Sequence, residues 1–162
     1  MPAALSLTAP PPDLDETLRI ETRFGTIEAR TRDLLHFPGG MPGFEKCRRF
    51  ALLALPELSP LFYLHAVDGP PASFLGIDPL LVLPNYRQNL RPEDRARLGE
   101  DADPRSLVWL ALVSVDRDDA AWVNLGAPVV INPARMIGCQ VVPHDAVYPL
   151  RHPLKLAQEE TA

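Results

Sequence analysis

The sequence predicts a mainly β protein: a small antiparallel β-barrel-like or sandwich domain with one short helix. Short runs of β-favouring residues alternate with turns rich in proline and glycine, without strand–helix–strand alternation. The 19 prolines among 162 residues are more than twice the usual share of about 5%, which disfavours long helices. One run, LVWLALVSV, is apolar on both faces, as is typical of a strand inside a closed or sandwiched sheet.

The first predicted element is a hairpin. The runs LRIET and GTIEA flank Arg23 and Phe24, and Gly25 at the start of the second run permits a tight turn. The later strands are predicted, in order, at FALLAL, LFYLHAV, SFLGID, LVWLALVSV, PVVIN and MIGCQVV. Because short proline and glycine turns separate these runs, antiparallel neighbours are expected.

One helix is predicted in LRPEDRARLGE, before the LVWLALVSV strand. Pro92 suits the first helical position, where its missing N–H leaves no bond unmade. Glu93 and Asp94 favour the first turn, which carries the positive end of the helix dipole. Arg95 and Arg97 favour the end of the helix, and Gly99 is a typical stop.

Composition limits the classes of function. The formal net charge of -5 disfavours a nucleic-acid binder that follows phosphates with excess lysine and arginine, so no direct nucleic-acid contact is expected. No stretch approaches the roughly 20 apolar residues of a membrane span, and the N-terminus lacks the positive charge of a signal peptide. Cys47 and Cys139 form no CxxC pair, as in a reducing compartment. We therefore expect a cytoplasmic, monomeric protein that makes no membrane contact.

The predicted β domain spans residues 17–155. Residues 1–16, which include three consecutive prolines, are interpreted as a disordered tail, and residues 156–162 as a flexible C-terminal tail. A chain of 162 residues suits one domain.

Motifs for catalysis are scarce. Neither GxxxxGK[ST] nor GxGxxG occurs, and GxSxG is also absent, so nucleotide binding and serine hydrolysis have no support. The histidines are scattered and form no HExxH pair: His36, His65, His144 and His152. His144 beside Asp145 would be a weak metal site, and surface polar residues explain this pair as well. We predict no catalytic residue, no cofactor and no metal.

Two other classes of function remain as alternatives. The first is a small metal-dependent or Cys/His enzyme on a β-barrel, in which the fold brings a cysteine and a histidine together. The second is a barrel that binds RNA directly, which requires a basic stripe interleaved with exposed aromatic residues. The arginines of this chain are spread among acidic residues.

The stretch HFPGGMPGF, residues 36–44, predicts a rigid turn. Its prolines fix φ, and its glycines permit positive φ, so the backbone path is closely specified. Phe37 and Phe44 either pin both ends of this turn to a core or, with Pro38 and Pro42, present a small aromatic and proline surface to a partner.

A second stiff segment is YPLRHPL, residues 148–154. The steps to Pro149 and Pro153 favour an extended backbone around Arg151 and His152, so these side chains, with Tyr148, are expected to project from a fixed ribbon. Arg151 has a rigid fork of donors that suits a carboxylate or carbonyls, either on a partner or within its own fold.

Five segments together resemble the flagellar assembly factor FliW family. In order they are FGTIEA, HFPGGMPGF, FYLHAVDGPPASFLGIDP, NLGAPVVIN and YPLRHPL, and they cover roughly Leu18 to Leu154. The chain departs from the family pattern at Ala121 and Trp122, where Met and Thr are more usual, and at Asn85, where an acidic residue is common.

The resemblance implies a function based on partner switching. Members of this family bind the translational repressor CsrA and, alternatively, flagellin. Free flagellin holds the factor until secretion empties the pool; the factor then sequesters CsrA, and flagellin synthesis resumes. The residues expected to contact these proteins lie in three of the five segments: Phe37, Pro38, Pro42, Phe44, Asn124, Tyr148, Arg151 and His152.

Overall fold

The computed structural model describes residues 16–100, 102–141 and 148–154. The predicted tails, apart from residue 16, lie outside the described residues, as do His144 and Asp145. The chain divides into two compact units, of which the first ends at Leu34 and the second begins at Leu35.

The first unit contains the predicted hairpin. Strands β1 (Thr17–Thr22) and β2 (Gly25–Arg30) pair antiparallel, with Thr17 opposite Arg30 and Thr22 opposite Gly25. Gly25 has φ +110°, which glycine adopts without strain. The Thr22 hydroxyl closes the turn, since it accepts a hydrogen bond from the Phe24 N–H at 3.0 Å and donates one to the Gly25 carbonyl at 2.8 Å. The predicted hairpin is confirmed.

The second unit is a closed seven-stranded β-barrel, which confirms the predicted fold class. Its strands are β3 (Leu35–His36), β4 (Arg49–Leu53), β5 (Phe62–Ala66), β6 (Ser73–Ile77), β7 (Val108–Val115), β8 (Ala121–Asn132) and β9 (Ile137–Gln140). Strands that follow each other in sequence pair antiparallel. The barrel closes where β9 also pairs with β3, in parallel, at His36 opposite Ile137.

The second unit contains further elements besides these strands. Strand β10 (His152–Pro153) pairs antiparallel with the first half of β8. Helix α1 runs from Pro92 to Leu98 and ends at Gly99, whose φ is +107°, as the sequence predicts. Among the described residues, 3-10 turns occur at Pro56–Leu58, Pro79–Leu81 and Pro104–Ser106 in the second unit and at Thr31–Asp33 in the first. No helix in the described part of the chain is long and apolar enough to cross a membrane.

The barrel interior is filled by alternate residues of strands β3 to β8. Phe50, Leu64, Leu110 and Val129 are buried there. On the outer face of β6 to β8, a second apolar cluster is completed by residues from segments 82–86 and 148–154. A third apolar cluster contains Leu98 of α1, which packs with residues of β8 and β9. The core therefore has an inner layer and covered patches on the outer wall.

The LVWLALVSV run, which contains β7, is covered on both faces only at its centre. Leu110 belongs to the barrel interior, and Ala111 belongs to the outer cluster. The end residues Val108 and Val115 are 41% and 54% exposed. The expectation that both faces are covered therefore holds for the middle of β7 and not for its ends.

Strand β8 begins earlier than the predicted PVVIN strand. Its register against β7 is interrupted, because Leu110 pairs with Val129 and Leu112 pairs with Asn124. The Asn124 side-chain oxygen accepts hydrogen bonds from the N–H groups of Gly126 at 3.1 Å and Ala127 at 2.9 Å. The Asn124 side chain thus accepts hydrogen bonds from two backbone N–H groups at the point where the β7–β8 ladder is irregular.

Candidate functional site

The glycine–proline turn, residues 37–44, is anchored in the barrel interior by Phe37. This side chain is fully buried, and its ring packs edge-on against Phe50 with centroids 4.9 Å apart. The Phe37 N–H donates to the Arg48 carbonyl at 2.8 Å, and its own carbonyl accepts from the Gly40 N–H at 2.7 Å. Met41, 1% exposed, is a second buried anchor. One end of the turn is therefore fixed to the barrel interior.

Two glycines are required for this arrangement. Gly40 has φ +69°, and a Cβ there would lie 2.5 Å from the Glu45 Cα, which is backbone and cannot move aside. A Cβ on Gly138 of β9 would lie 2.7 Å from the Phe37 ring. At Gly39, in contrast, a Cβ would meet no atom within 4 Å. The turn therefore needs glycine for geometric reasons at position 40 but not at position 39.

The outer surface of the turn is formed by Pro38, Pro42 and Phe44, which are all exposed. Phe44 is 40% exposed, and its ring packs edge-on against Phe74 at 5.2 Å. The two interpretations of the turn thus apply to different residues: Phe37 is an internal anchor without surface for a partner, whereas Phe44 and the prolines are accessible.

The C-terminal strap, residues 148–154, lies along the first half of β8. Besides the β10 pairing, the Leu125 N–H donates to the Pro149 carbonyl at 3.1 Å, and the Leu154 N–H donates to the Ala121 carbonyl at 3.0 Å. A Cβ on Gly126 would lie 2.7 Å from the Tyr148 carbonyl oxygen. Glycine at this position lets the strap approach the strand closely.

Arg151 of the strap packs against β8 through its side chain. Its guanidinium carbon lies 3.9 Å from the centroid of the Trp122 ring, a cation–π contact. The guanidinium is also 3.6 Å from the Asp116 carboxylate, which accepts the Trp122 indole N–H at 3.1 Å. The Arg151 side chain remains 62% exposed. Arg151 therefore pins the strap and still offers donors to solvent.

These contacts change the acidity of Asp116. The Trp122 indole N–H is the largest influence, and it lowers the pKa of the Asp116 carboxyl below its ordinary value. Backbone N–H groups of Asp118 and Ala120 donate to the same carboxylate at 3.0 Å and 3.1 Å, and Arg151 adds a favourable charge. The carboxylate form is thus stabilised by hydrogen bonds first and by charge second.

The remaining residues predicted to bind partners have structural contacts. The Tyr148 ring packs at a tilt against Tyr86 with centroids 4.5 Å apart, and its hydroxyl accepts the Arg87 N–H at 2.9 Å. His152 is half-buried, with Nδ1 2.8 Å from the Pro153 carbonyl oxygen. Asn124 is occupied by the interrupted β8 ladder. Of the residues predicted in the strap, Arg151 is the most accessible.

The cysteines and His65 have environments typical of buried side chains. Burial raises the pKa of the Cys139 thiol to about 11 and also raises the pKa of Cys47, whose thiol donates to the Pro70 carbonyl at 3.1 Å. Protonated thiols are poor nucleophiles. Burial lowers the pKa of His65, which stacks on Tyr63. Among the described residues, no three His, Cys, Asp or Glu side chains group as metal ligands do.

Two concavities adjoin these surfaces. A pocket of about 250 Å³ lies between the turn, α1 and β9, and Arg97 lines it. A cleft of about 540 Å³ is lined by Tyr86, Trp109 and the exposed Leu80, among other residues. From the sequence, Arg97 is only a charge at the end of a helix, and Trp122 is only a departure from the family pattern. The position of Arg97 at the pocket and the contact of Trp122 with Arg151 both depend on segments that are distant in sequence.

Comparison with known proteins supports one family throughout. A family model described as FliW protein matches residues 19–154. The chain is 37% identical over 138 residues to the flagellar assembly factor FliW of Moorella thermoacetica, over 82% of this chain and 85% of the relative. It is 36% identical over 133 residues to that of Natranaerobius thermophilus, over 81% and 87% of the two chains.

A solved structure agrees with these sequence relationships. A crystal structure of the flagellar assembly factor FliW superposes with a TM-score of 0.75 at 30% identity and covers 83% of this chain and 95% of that chain. The barrel and the order of the five sequence segments point to the same family. This chain belongs to the FliW family of flagellar assembly factors.

Proposed function

We propose that this flagellar assembly factor acts by exchanging protein partners. It binds a CsrA-type translational regulator and, alternatively, flagellin. While flagellin is plentiful, it occupies the factor in the manner of a chaperone client. When secretion empties the flagellin pool, the factor sequesters the regulator, and repression of flagellin synthesis ends. This cycle requires binding energy and no catalytic step.

Family membership is the observation that carries this proposal. The five segments that resemble the family lie in register over the same range that the family model matches, residues 19–154. The relatives at 37% and 36% identity are named flagellar assembly factors. The net charge of -5 also favours protein partners with basic or mixed surfaces over RNA.

Two accessible surfaces support binding. The turn surface consists of Pro38, Pro42 and Phe44, and the strap surface consists of Arg151 and His152 beside Trp122. Both are held by backbone hydrogen bonds and buried neighbours. A surface that is already ordered loses less conformational entropy on binding than a mobile one.

Calorimetry with purified CsrA and with purified flagellin tests the proposal. We expect each partner to bind with at least micromolar affinity, which corresponds to about -8 kcal/mol and is within reach of an interface of ordinary size. In a gel-shift assay, the factor should release CsrA from flagellin messenger without retaining the RNA itself. Direct retention of RNA by the factor alone, or the absence of heat with both proteins, would contradict the proposal.

A matched pair of variants tests the turn surface. Phe44→Ala should weaken binding to at least one partner, because it removes an accessible aromatic ring from the turn. Leu81→Ala is the control, since Leu81 is similarly exposed (46% against 40%) and lies in the 3-10 turn Pro79–Leu81, outside the turn surface. Equal losses of affinity in the two variants would exclude a specific role for the turn.

A further inference from the structure

We propose that the pocket beside the glycine–proline turn receives an acidic side chain of a protein partner, whose carboxylate is bound by Arg97. The pocket has a volume of about 250 Å³ and brings together three segments that are distant in sequence. Its lining residues are Pro38, Gly39, Gly40, Pro42 and Glu45 from the turn region, Arg97 from α1, and Cys139 and Gln140 from β9.

Arg97 is held in position by a buried carboxylate. Asp94 is fully buried, and one of its oxygens accepts Arg97 Nη2 at 2.6 Å. The other oxygen of Asp94 accepts the backbone N–H and the Nε of Arg91, both at 3.3 Å. Asp94 is therefore shared by two arginines, and Arg97 contacts only one of its two oxygens. The guanidinium of Arg97 is thus oriented without being neutralised.

The free donors of Arg97 are available to a ligand. A guanidinium has five N–H donors in a planar fork, and the contact with Asp94 is made through a single nitrogen. The Arg97 side chain is 49% exposed, and within the described residues Asp94 is the acidic group that it pairs with. The fork matches the geometry of a second carboxylate.

The pocket walls suit a carboxylate on a short aliphatic stem. Pro38 and Pro42 provide apolar surface from the turn. The buried Cys139 thiol stays protonated at neutral pH, since burial raises its pKa to about 11, so it does not repel an anion. The Gln140 side chain is committed to the Ala127 carbonyl at 2.9 Å. Arg97 is therefore the strongest donor group that lines the pocket.

A protein carboxylate is favoured over nucleic-acid phosphate. Glu45 lies at the pocket, and its carboxylate, which accepts the Gly43 N–H at 3.0 Å, stays ionised because that bond lowers its pKa. A chain of phosphates would be repelled by Glu45 and by the net charge of -5. A single acidic side chain reaches Arg97 with less repulsion.

The inference deepens the proposed function and rests on it for the identity of the partners. The pocket borders the exposed turn surface, so a partner that contacts Phe44 and the prolines can place an acidic side chain beside Arg97. The chemistry of the pocket can be tested without either partner, which separates the two proposals.

The first experiment uses a small probe. Acetyl-Ala-Glu-Ala-amide is added at millimolar concentration to the full-length isotope-labelled protein, and the amide signals are followed by NMR. We expect shifts at Gly39, Gly40 and Gln140 that are absent with acetyl-Ala-Gln-Ala-amide. Equal shifts with the neutral peptide, or no shift at these residues, would overturn the proposal. A larger response to inorganic phosphate would assign the pocket to phosphate instead and would also overturn it.

Variants then identify the arginine. Arg97→Gln should abolish the shifts, and Arg97→Lys should retain part of them, since it keeps the charge and loses the fork. Arg95→Gln is the matched control, because Arg95 lies on the same helix and is exposed but does not line this pocket. If Arg97→Gln does not fold, Arg97→Lys alone decides: a response identical to that of the unaltered protein would contradict a role for the fork.

The final step uses the proposed partners. Arg97→Gln should weaken binding to at least one of CsrA and flagellin by about tenfold, the effect of one charge-assisted hydrogen-bonded pair. Arg95→Gln should change it less than about twofold. If the unaltered protein binds neither partner, the proposed function is wrong, while the peptide titration still decides the pocket. If both partners bind and Arg97→Gln binds them equally well, the pocket proposal is wrong.

Discussion

The glycine–proline turn and the C-terminal strap are both stiffened by proline, but they are attached to the barrel in different ways. The turn is held by Phe37 and Met41, which lie inside the core. The strap is held by hydrogen bonds to the edge of β8 and by Arg151, which lies on Trp122 and remains mostly exposed. The turn is thus fixed by fully buried side chains, whereas the strap is fixed by the partly buried Tyr148 and Leu154 together with polar contacts at the surface.

This difference decides how each region can be studied. A change to a buried anchor removes apolar contacts and costs several kcal/mol, so loss of binding would reflect unfolding. A change to an exposed polar anchor costs far less, because water replaces part of what is lost. Function in the turn must therefore be tested at its outer residues, whereas in the strap the anchor itself can be substituted.

The largest effect is expected from Phe37→Ala. Phe37 is fully buried and packs on Phe50, so truncation should lower the free energy of unfolding by about 3–5 kcal/mol. Phe44→Ala is the matched control and should cost about 1 kcal/mol, since Phe44 is 40% exposed. Urea unfolding measures both values. Similar losses of unfolding free energy in the two variants would contradict the anchoring of the turn by Phe37.

A backbone effect of intermediate size is expected at the turn glycines. Gly40→Ala should lower the free energy of unfolding by about 2 kcal/mol or more, because Gly40 has φ +69° and a Cβ would meet the backbone of Glu45. Gly39→Ala should change it by less than about 0.5 kcal/mol, since the space around Gly39 is open. Thermal or urea unfolding distinguishes the pair, and a larger loss at Gly39 would contradict the geometry.

A smaller effect is expected when the strap loses its polar anchor. Arg151→Ala removes the cation–π contact with Trp122 and the partly exposed pair with Asp116, so unfolding should become easier by about 0.5–1 kcal/mol. The melting temperature and partner affinity should be measured on the same preparation. If affinity falls by more than the unfolded fraction explains, Arg151 contacts a partner. A fall that matches the unfolded fraction makes it a structural pin only.

The smallest effect concerns the acidity of Asp116. Trp122→Phe should raise the pKa of Asp116 towards its ordinary value, and Arg151→Ala should raise it less, because the indole hydrogen bond is the larger cause. A depressed carboxyl pKa contributes stability above the unfolded pKa of about 3.9, and this contribution disappears as pH falls through the folded pKa. NMR titration of the Asp116 carboxyl carbon shows which of the two variants raises the pKa more. A larger rise in Arg151→Ala would reverse the assigned causes.

Local sequence patterns predicted much of the fold. The hairpin at Gly25 and the helix that starts at Pro92 depend on neighbouring residues, and both were predicted correctly. The two-residue strands β3 and β10 were missed, because their pairing depends on partners far along the chain. The first half of β8 was missed because Asn124 and Gly126 interrupt its apolar pattern where the ladder is irregular.

The candidate site was less predictable than the fold. The turn was recognised as rigid from its prolines and glycines, but which phenylalanine lies inside the barrel depends on three-dimensional packing. Phe37 reaches the interior because Gly138, on a distant strand, leaves room for its ring. Arg97 lies beside the turn because α1 packs against β9. No spacing in the sequence encodes either contact.

Closure of the barrel by β9 has a consequence for synthesis of the protein. His36 and Ile137, which pair at the closure, are about a hundred residues apart in the sequence, and such non-local pairing is slow to form. A nascent chain on the ribosome has open edges on β3 and β8 until β9 has emerged. Phe37 also gains its neighbour Gly138 only then. The turn therefore becomes fixed only after β9 has been synthesised, so newly made factor acquires this surface only once Ile137–Gln140 can pair with β3 and β8.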